Sequence, residues 1–262
     1  RDAMAFLVIW EIMSLSSFFL VIFENEKKET IKIGIKYLIQ MHIGVVFLML
    51  AFIWACVQTG AEFSFDGLSV YFQTHNPFYL FMLFFIGFGI KAGFIPLHSW
   101  LPHAHPAAPS HVSGVMSGVM IKMGIYGILR VLTYIHHDLF YIGLFILIVS
   151  LISGLIGVSL AIVQHDVKKL LAYHSIENIG IIGIGIGLGT IGLAENIPVL
   201  AVLGFGGGIL HILNHSLFKS LLFYTAGSVY QQTHTRNIEQ LGGLIKKMPK
   251  TALFFLLGAL AI

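Results

Sequence analysis

Long apolar segments separated by short polar connectors make up most of the 262-residue chain. About 20 consecutive apolar residues are enough for a helix to cross a bilayer. The hydrophobic pattern therefore predicts an all-α, polytopic transmembrane bundle with seven full spans and the beginning of an eighth. These spans lie at about 3–23, 33–57, 78–101, 111–134, 141–163, 174–194, 198–230 and 251–262. The segment 58–77 carries Glu62 and Asp66 and predicts a short interfacial helix or a loop.

The composition supports a membrane protein and excludes several other classes. Hydrophobic residues make up 57% of the chain and charged residues 10%, with a mean hydropathy of +0.89. Soluble domains carry about 25% charged residues, so a soluble globular fold is excluded. A single cysteine, Cys56, excludes a disulfide framework and an all-cysteine cluster within the chain. The net charge of +3 is too small and scattered for nucleic-acid binding.

Lysine and arginine concentrate on one side of the predicted bundle. If the helices alternate in direction, the connectors 24–32, 102–110, 164–173 and 231–250 share a side. By the positive-inside rule we expect that side to face the cytoplasm, with the protein in the cytoplasmic membrane. The basic residues of these connectors are Lys27, Lys28, Lys32, Lys168, Lys169, Arg236, Lys246, Lys247 and Lys250.

Two lysines, Lys91 and Lys122, interrupt the apolar spans. Each has a long run of apolar or small residues on both sides, so each is expected near the middle of the bilayer. A lysine at that depth costs about 2.5–3.5 kcal/mol on insertion scales. We interpret the two lysines as members of a proton path. The alternative for Lys91 is an ammonium group that reaches back to the membrane surface.

A helix break is predicted beside Lys91. Pro96 has no N–H group, so the carbonyl of Ala92 loses its helical donor, and Gly93 loosens the same turn. Interrupted helices near a charge at mid-depth are typical of ion sites in transporters. A proline kink that serves only packing is the alternative.

Glu11 is the acidic residue within the first span. A buried carboxylate tends to become neutral or to find a cation, and Lys91 is the expected partner. A change in their separation would alter the proton affinity of the lysine, as a relay requires. The alternative is a protonated Glu11 bonded to Ser14 or to the backbone. For His42, in the second span, a packing role and a role in the proton relay are equally supported.

Three proton-carrying residues, His211, His215 and Lys219, are spaced i, i+4 and i+8 on the seventh span. This spacing places them in one stripe on a helix face. A proton relay continuing from Lys122 is the favoured interpretation, and packed histidines or a metal or haem site are the alternatives. Since no acidic or thiol ligand accompanies the stripe, we predict no metal there.

His174 and Glu177 stand at the beginning of the sixth predicted span. There the helix dipole would favour Glu177, and proton uptake from the cytoplasm is the second interpretation. Four further histidines, His98, His103, His105 and His111, fall at the connector after Lys91 and are expected to be solvated.

Glycines indicate close helix packing. Gly114/Gly118 and Gly204/Gly208 have the small-xxx-small spacing, and Gly206–Gly208 predicts local unwinding before His211. The Ile–Gly alternation at 179–187 is assigned to a helix, because a lone strand in a bilayer leaves its backbone polar groups unpaired.

Several motifs together resemble a known family: the antiporter-like proton-translocating subunits shared by respiratory complex I, Mrp-type cation/proton antiporters and membrane-bound hydrogenases. The stretch 172–180, Ala-Tyr-His-Ser-Ile-Glu-Asn-Ile-Gly, and 106–112 are similar to the group of hydrogenase-4 component B and formate hydrogenlyase subunit 3. The motifs that carry the family resemblance are Trp10-Glu11 and the stretches 91–102, 107–110, 122–130, 166–173 and 233–243.

The resemblance implies a fold of about fourteen helices built from two inverted five-helix repeats. Residues 1–262 would then be a fragment of one such domain, from the fifth helix to early in the twelfth. Glu11 would match the glutamate of the fifth helix, Lys91 the lysine of the broken seventh helix, and Lys122 the lysine of the eighth. The eleventh-helix stripe would correspond to His211, His215 and Lys219. The family's last relay residue would lie beyond Ile262.

The resemblance also implies a function and partners. We expect a proton-translocating subunit of a hydrogenase-4 or formate hydrogenlyase-like complex, with other membrane subunits and a peripheral redox arm as partners. The chain itself is expected to hold no redox cofactor. An Mrp-type Na⁺/H⁺ antiporter subunit, a complex I subunit and a haem-binding redox protein are the alternatives.

Overall fold

The structure, a computed structural model, describes residues 2–262. Within that range the regular elements are helices, and two isolated β-bridges, Asp2–Ser64 and Asp166–Asn237, join neighbouring loops. The all-α prediction is confirmed. The α-helices are α1 Ala3–Val21, α2 Lys28–Thr59, α3 Phe65–Thr74, α4 Pro77–Ala92, α5 Leu101–Ala107, α6 Ser110–Val115, α7 Ile121–Leu132, α8 Leu139–Ile162, α9 Val167–Ala194, α10 Pro198–Thr233, α11 Leu244–Lys247 and α12 Pro249–Leu260.

Six helical segments in the described residues are long and apolar enough to cross a membrane. They correspond to six of the predicted spans, so the chain is a multi-pass membrane protein. The segment 58–77 contains α3, whose first turn is capped when Ser64 Oγ accepts a hydrogen bond from Gly67 N at 3.0 Å. The six segments are α1, α2, Ser110–Leu132, α8, α9 and α10.

The predicted span 78–101 is broken in the structure. Helix α4 ends at Ala92, Gly93 adopts φ +86°, and the chain becomes helical again at Leu101. The predicted break at 91–96 is therefore confirmed, although Pro96 lies outside the helix instead of kinking it. At the break, the carbonyl of Ile90 has no helical donor. It accepts a hydrogen bond from Trp100 Nε1 at 2.7 Å instead.

The fourth span contains a feature that the sequence did not predict. Between α6 and α7, residues Met116–Met120 form a π-helical segment. π-Helical turns are uncommon and frequently occur at functional sites. This one ends two residues before Lys122.

The sixth span begins earlier than predicted. Helix α9 starts at Val167, because Asp166 Oδ1 accepts hydrogen bonds from Lys168 N at 2.9 Å and Lys169 N at 3.1 Å. Glu177 consequently lies about three turns inside the helix. The predicted dipole role for Glu177 is wrong, because the dipole effect is confined to the first turn.

Glycine positions determine how closely the helices approach. An added Cβ at Gly114 would lie 2.6 Å from the ring of Tyr224, and Gly204 faces the backbone of Gly189. The close packing predicted for these glycines is confirmed, as is the helical assignment of 179–187. Helix α10 is continuous through Gly206–Gly208, so the predicted unwinding is wrong. Backbone groups in a bilayer remain in helical hydrogen bonds unless another donor replaces them.

The helix packing creates two buried polar regions. Helix α4 packs between α2 and α7, and α1 covers α2. Helix α9 packs between α8 and α10. The first group surrounds Lys91, and the second surrounds the stripe on α10.

Candidate proton-relay site

The ionisable residues predicted at mid-membrane are buried. Exposed fractions are 2% for Lys91, 8% for Lys122 and 0% for both His215 and Lys219. The predicted burial is confirmed. Among residues 2–262, Lys91, Lys122 and Lys219 take part in no ion pair with a carboxylate. Since a buried charge is costly unless it is paired, these amines are poorly suited to a purely structural role.

Lys91 contacts polar and aromatic groups on α1 and α2. Its Nζ donates to Ser14 Oγ at 3.4 Å and lies 5.9 Å from the ring centroid of Tyr37, within range of a cation–π contact. The hydroxyl of Tyr37 in turn lies 2.5 Å from Ser17 Oγ. Lys91 is thus held by neutral partners.

Glu11 meets His42 instead of Lys91. His42 Nε2 lies 2.7 Å from Glu11 Oε1. The predicted direct ion pair with Lys91 is therefore wrong. Helix α2 brings His42 against Glu11, whereas Lys91 approaches α1 at Ser14, close to one turn further along.

A chain of hydrogen bonds joins Lys122 to Lys219. Lys122 Nζ donates to the carbonyl of Ser117 in the π-helical segment, and Ser117 Oγ lies 2.8 Å from Ser175 Oγ on α9. Ser175 Oγ donates to Leu171 O at 3.0 Å, and the same carbonyl accepts from Lys219 Nζ at 3.5 Å. The two lysines are therefore connected through groups on two helical segments, the π-helical segment and α9.

The predicted stripe on α10 is present as one face. The rings of His211 and His215 are nearly parallel, with centroids 6.4 Å apart and an interplanar angle of 14°. His211 Nε2 lies 2.8 Å from Asn178 Oδ1. Both ring nitrogens of His215 are buried without a hydrogen-bond partner. Buried polar atoms without a partner are uncommon and call for a specific role or a buried water.

His174 and Glu177 form a close pair, with Nδ1 and Oε2 separated by 2.5 Å. Their side chains are 25% and 19% exposed. The next residue on α9, Asn178, has its Oδ1 2.8 Å from Nε2 of His211 on α10. The structure therefore places this pair beside the α10 stripe.

One histidine was placed wrongly by the sequence argument. His105 was expected to be solvated, yet it is fully buried, its ring stacks on Phe223 with centroids 4.8 Å apart, and both ring nitrogens lack a partner. The reason is that the segment after the break folds back into the bundle as α5. Part of the predicted connector 102–110 is thus helix.

Three further residues of the polar network escaped the sequence argument: Ser117, Ser175 and Asn178. A serine or an asparagine in an apolar span is a weak signal, because a serine hydroxyl often bonds only to its own helix. Whether such a side chain joins a polar network depends on which residue of the neighbouring helix lies opposite it.

Comparison with known proteins identifies the family. Residues 1–262 match the transmembrane family described as NADH:quinone oxidoreductase/Mrp antiporter. The chain belongs to this family. The resemblance inferred from the motifs is confirmed.

Antiporter-like relatives of the predicted subgroup are found as well. The chain is 45% identical to hydrogenase-4 component B of Escherichia coli (strain K12), over all of this chain and 39% of that protein. It is 39% identical to formate hydrogenlyase subunit 3 of the same organism, over 98% of this chain and 41% of that protein. The chain thus spans about two fifths of the length of these relatives.

Chains of two solved membrane complexes share the fold. A chain of the membrane-bound sulfane sulfur reductase, an archaeal respiratory membrane complex, superposes with a TM-score of 0.87 at 29% identity. It matches over all of this chain and 43% of that one. A chain of the Mrp complex from Dietzia sp. DQ12-45-1b gives 0.86 at 25% identity, over 99% of this chain and 47% of that one. These relatives belong to multisubunit membrane complexes.

Proposed function

We propose that this antiporter-like chain is part of a proton-translocating membrane subunit in a hydrogenase-4 or formate hydrogenlyase-like complex. Its partners are other membrane subunits and a peripheral redox arm, and the chain holds no redox cofactor of its own. The complex lies in the cytoplasmic membrane, with the connectors 24–32, 102–110, 164–173 and 231–250 towards the cytoplasm. The similarity to hydrogenase-4 component B supports this choice of complex.

One observation carries the proposal: Lys91, Lys122 and Lys219 are buried amines without carboxylate partners among the described residues. An amine that is not fixed in an ion pair can gain and release a proton when nearby charges change. Three of them in one bundle, accompanied by buried histidines, suit transfer of protons along the membrane plane.

In the proposed mechanism the charge on Glu11 controls Lys91. When Glu11 is ionised, it favours the protonated amine at Lys91, and when Glu11 is neutral, that support is withdrawn. The proton released from Lys91 passes towards Lys122. From there the path continues along the α10 stripe, past Lys219 and through His215 and His211, and the His174–Glu177 pair beside the stripe takes up protons from the cytoplasm and reloads it.

The proposal is tested with the full-length protein in its assembled complex in membrane vesicles. In the variants Lys91→Met and Lys122→Met, we expect proton translocation to fall by about a hundredfold or more, the lower end of the contribution typical of a positioned proton-transfer group. Electron transfer should continue without the matching proton movement. Unchanged translocation in both variants would reject the relay.

A matched control is available on the surface. Lys247 lies exposed at the end of α11. The variant Lys247→Met also removes one amine, and we expect it to leave translocation unchanged.

The structural likeness to an Mrp complex chain favours an Na⁺/H⁺ antiporter subunit as the second candidate. Vesicle assays in the presence and absence of Na⁺ separate the two candidates. Acidification that needs Na⁺ and proceeds without electron transfer would favour the antiporter, and acidification that follows electron transfer without Na⁺ would favour the redox-driven subunit.

A further inference from the structure

Helix α5 ends without completing its last turn. Pro109 has no N–H group, so the carbonyl of His105 cannot receive its helical hydrogen bond. Ser113 Oγ donates to that carbonyl instead, at 2.8 Å. The carbonyls of Pro106 and Ala108 lie at the same helix end, where the last carbonyls of a helix have no donor within it. This end of α5 therefore needs donors from elsewhere in the bundle.

Two basic residues from the second half of the chain supply these donors. Lys168 Nζ, on α9, donates to the carbonyl of Ala108. Arg236 Nη1, in the connector after α10, donates to the carbonyl of Pro106 at 2.5 Å. Basic side chains are able to satisfy the last carbonyls of a helix in this way. Because Lys168 and Arg236 hold the end of α5 from two different elements, we call the two residues the α5 clamp.

Lys168 is the deeply buried member of the clamp. It is 3% exposed, and among residues 2–262 it forms no ion pair with a carboxylate. A buried amine is costly unless it is hydrogen-bonded, and the carbonyl of Ala108 is the acceptor that its Nζ has. Arg236 is less buried, and its Nε lies 3.2 Å from Oδ2 of Asp166, the residue that caps α9. The clamp thus ties α5 to the beginning of α9.

Helix α5 lies between the two buried polar regions of the bundle. At its beginning, Trp100 Nε1 donates to the backbone carbonyl that precedes Lys91. Near its end, the ring of His105 stacks on Phe223, which lies one turn after Lys219 on α10. The position of this one short helix therefore affects both regions.

We propose that Lys168 and Arg236 are positioning residues, which hold α5 against α9 and α10 so that the Lys91 region and the α10 stripe keep the arrangement that proton transfer needs. The inference rests on the proposed relay and adds to it a fixed contact between its two regions. In this role neither residue carries the transferred proton. Each one supplies a permanent donor to a backbone carbonyl.

The surroundings of Lys168 also suit a competing role. Lys168 and Arg236 line a cavity of about 240 Å³, together with Glu24 and Lys27 from the connector before α2. A buried amine beside such a cavity is suited to taking up protons itself, because a buried lysine changes its proton affinity readily. The two roles differ in one respect. A proton carrier has to release its proton, whereas a clamp residue has to keep it.

The test uses the full-length protein in its assembled complex in membrane vesicles. Lys168→Arg keeps a charged donor but cannot pass a proton on, since arginine stays protonated in proteins. We expect Lys168→Arg to retain most of the wild-type proton translocation. Lys168→Met should lose at least about tenfold, because hydrogen bonds from charged donors contribute more than the equivalent of that factor, about 1.4 kcal/mol. A proton carrier at this position would instead be lost in both variants.

A second variant decides the same question if Lys168→Arg does not fit the buried site. Lys168→Gln keeps an N–H donor on a smaller side chain, and its amide does not titrate. The clamp predicts that translocation in Lys168→Gln exceeds that in Lys168→Met. A proton carrier predicts that the two variants are equally impaired.

The neighbouring Lys169 provides a matched control. It carries the same charge on the same turn of α9, is partly exposed, and its side chain makes no hydrogen bond or ion pair among the described residues. We expect Lys169→Met to leave translocation unchanged.

Hydrogen exchange follows the position of α5 directly. The amide N–H groups of Ala104 and Ala108 bond to carbonyls one turn back, at 2.8 and 2.9 Å, and they exchange only when this helix opens. In Lys168→Met and in Arg236→Met, exchange at residues 101–108 should be about tenfold faster, by the same loss of one hydrogen bond from a charged donor. Lys168→Arg and Lys169→Met should exchange like the wild type.

Three results would overturn the inference: translocation in Lys168→Arg and Lys168→Gln as low as in Lys168→Met, wild-type translocation in both Lys168→Met and Arg236→Met, or unchanged exchange at residues 101–108 in those two variants. Its failure is distinguishable from failure of the proposed function. If Lys91→Met blocks translocation while Lys168→Met and Arg236→Met do not, the relay remains and only the clamp falls. If Lys91→Met has no effect, the relay itself is wrong.

Discussion

The hydroxyls of Ser117 and Ser175 lie 2.8 Å apart in the interior, and both residues are completely buried. Ser117 belongs to the π-helical segment before α7, and Ser175 to α9. This pair links the π-helical segment, which leads into the Lys122 helix α7, to α9. Helix α9 in turn packs against α10, which carries Lys219. A hydroxyl both donates and accepts hydrogen bonds, so two hydroxyls in contact can continue a hydrogen-bonded path from one helix to the next.

We predict that Ser117→Ala and Ser175→Ala slow proton translocation without stopping it. The loss of one hydrogen bond of about 1.4 kcal/mol corresponds to a factor of about ten in rate. Ser159→Ala is the control, because Ser159 is exposed on α8 and bonds only to Leu155 O of its own helix. Initial rates of vesicle acidification provide the measurement, and equal rates in all three variants would remove the serine pair from the path.

Replacement of Lys219 by methionine should preserve or raise the stability of the protein while abolishing proton translocation. Lys219 is fully buried, and a buried charge without an ion-pair partner is costly, so an apolar side chain of similar length should be neutral or stabilising there. We expect the thermal midpoint of Lys219→Met in detergent to be equal to or higher than that of the wild type, while proton translocation is lost. A clear fall in the midpoint would show that the amine stabilises the fold.

Gly124→Ala should disturb the contact between α4 and α7. A Cβ at Gly124 would lie 2.5 Å from Phe88 O and 2.6 Å from Ala92 N, so the two backbones would have to separate. Overpacking of this kind typically costs about 1–3 kcal/mol. Because α4 and α7 carry Lys91 and Lys122, we also expect slower translocation.

The control for that variant is Gly206→Ala. A Cβ at Gly206 meets open space within α10, and alanine favours a helix over glycine by about 1 kcal/mol. Thermal unfolding should therefore show opposite shifts for the two glycines. A lowered midpoint for Gly206→Ala would contradict the packing described for α10.

Trp100→Phe should weaken the helix break beside Lys91. The indole N–H donates to Ile90 O at 2.7 Å, and phenylalanine keeps most of the ring but removes the donor. A buried carbonyl left without its partner costs about 1–3 kcal/mol. We expect a lower thermal midpoint and faster hydrogen exchange at residues 91–96, and wild-type exchange there would show that another donor replaces the indole.

Much of this fold could be predicted from the sequence because it depends on local composition. The helix positions, the break near Gly93 and the burial of Lys91 and Lys122 all follow from hydropathy, proline and glycine. The beginning of α9 at Val167 was missed: Asp166 caps a helix that starts seven residues before the predicted start of the span at 174. Capping is a local signal, and it was available in the sequence.

The pairing within the site could not be predicted in the same way. Glu11 was assigned to Lys91 because both lie inside the apolar layer, whereas His42 is its partner. Which residues meet depends on the rotation of α1 and α2 about their axes. Hydropathy fixes the depth of a side chain in the membrane and leaves that rotation open.

The sequence by itself determined that this chain is a helical membrane protein of the antiporter-like family, with ionisable residues held at mid-depth. Those properties follow from residue types and their order, since a bilayer imposes length and polarity on each segment separately. The tertiary structure alone decided the partners: His42 for Glu11, Ser175 for Ser117, and Phe223 for the buried His105. These contacts join residues far apart in the chain, and they exist only once the helices have packed at specific angles and distances.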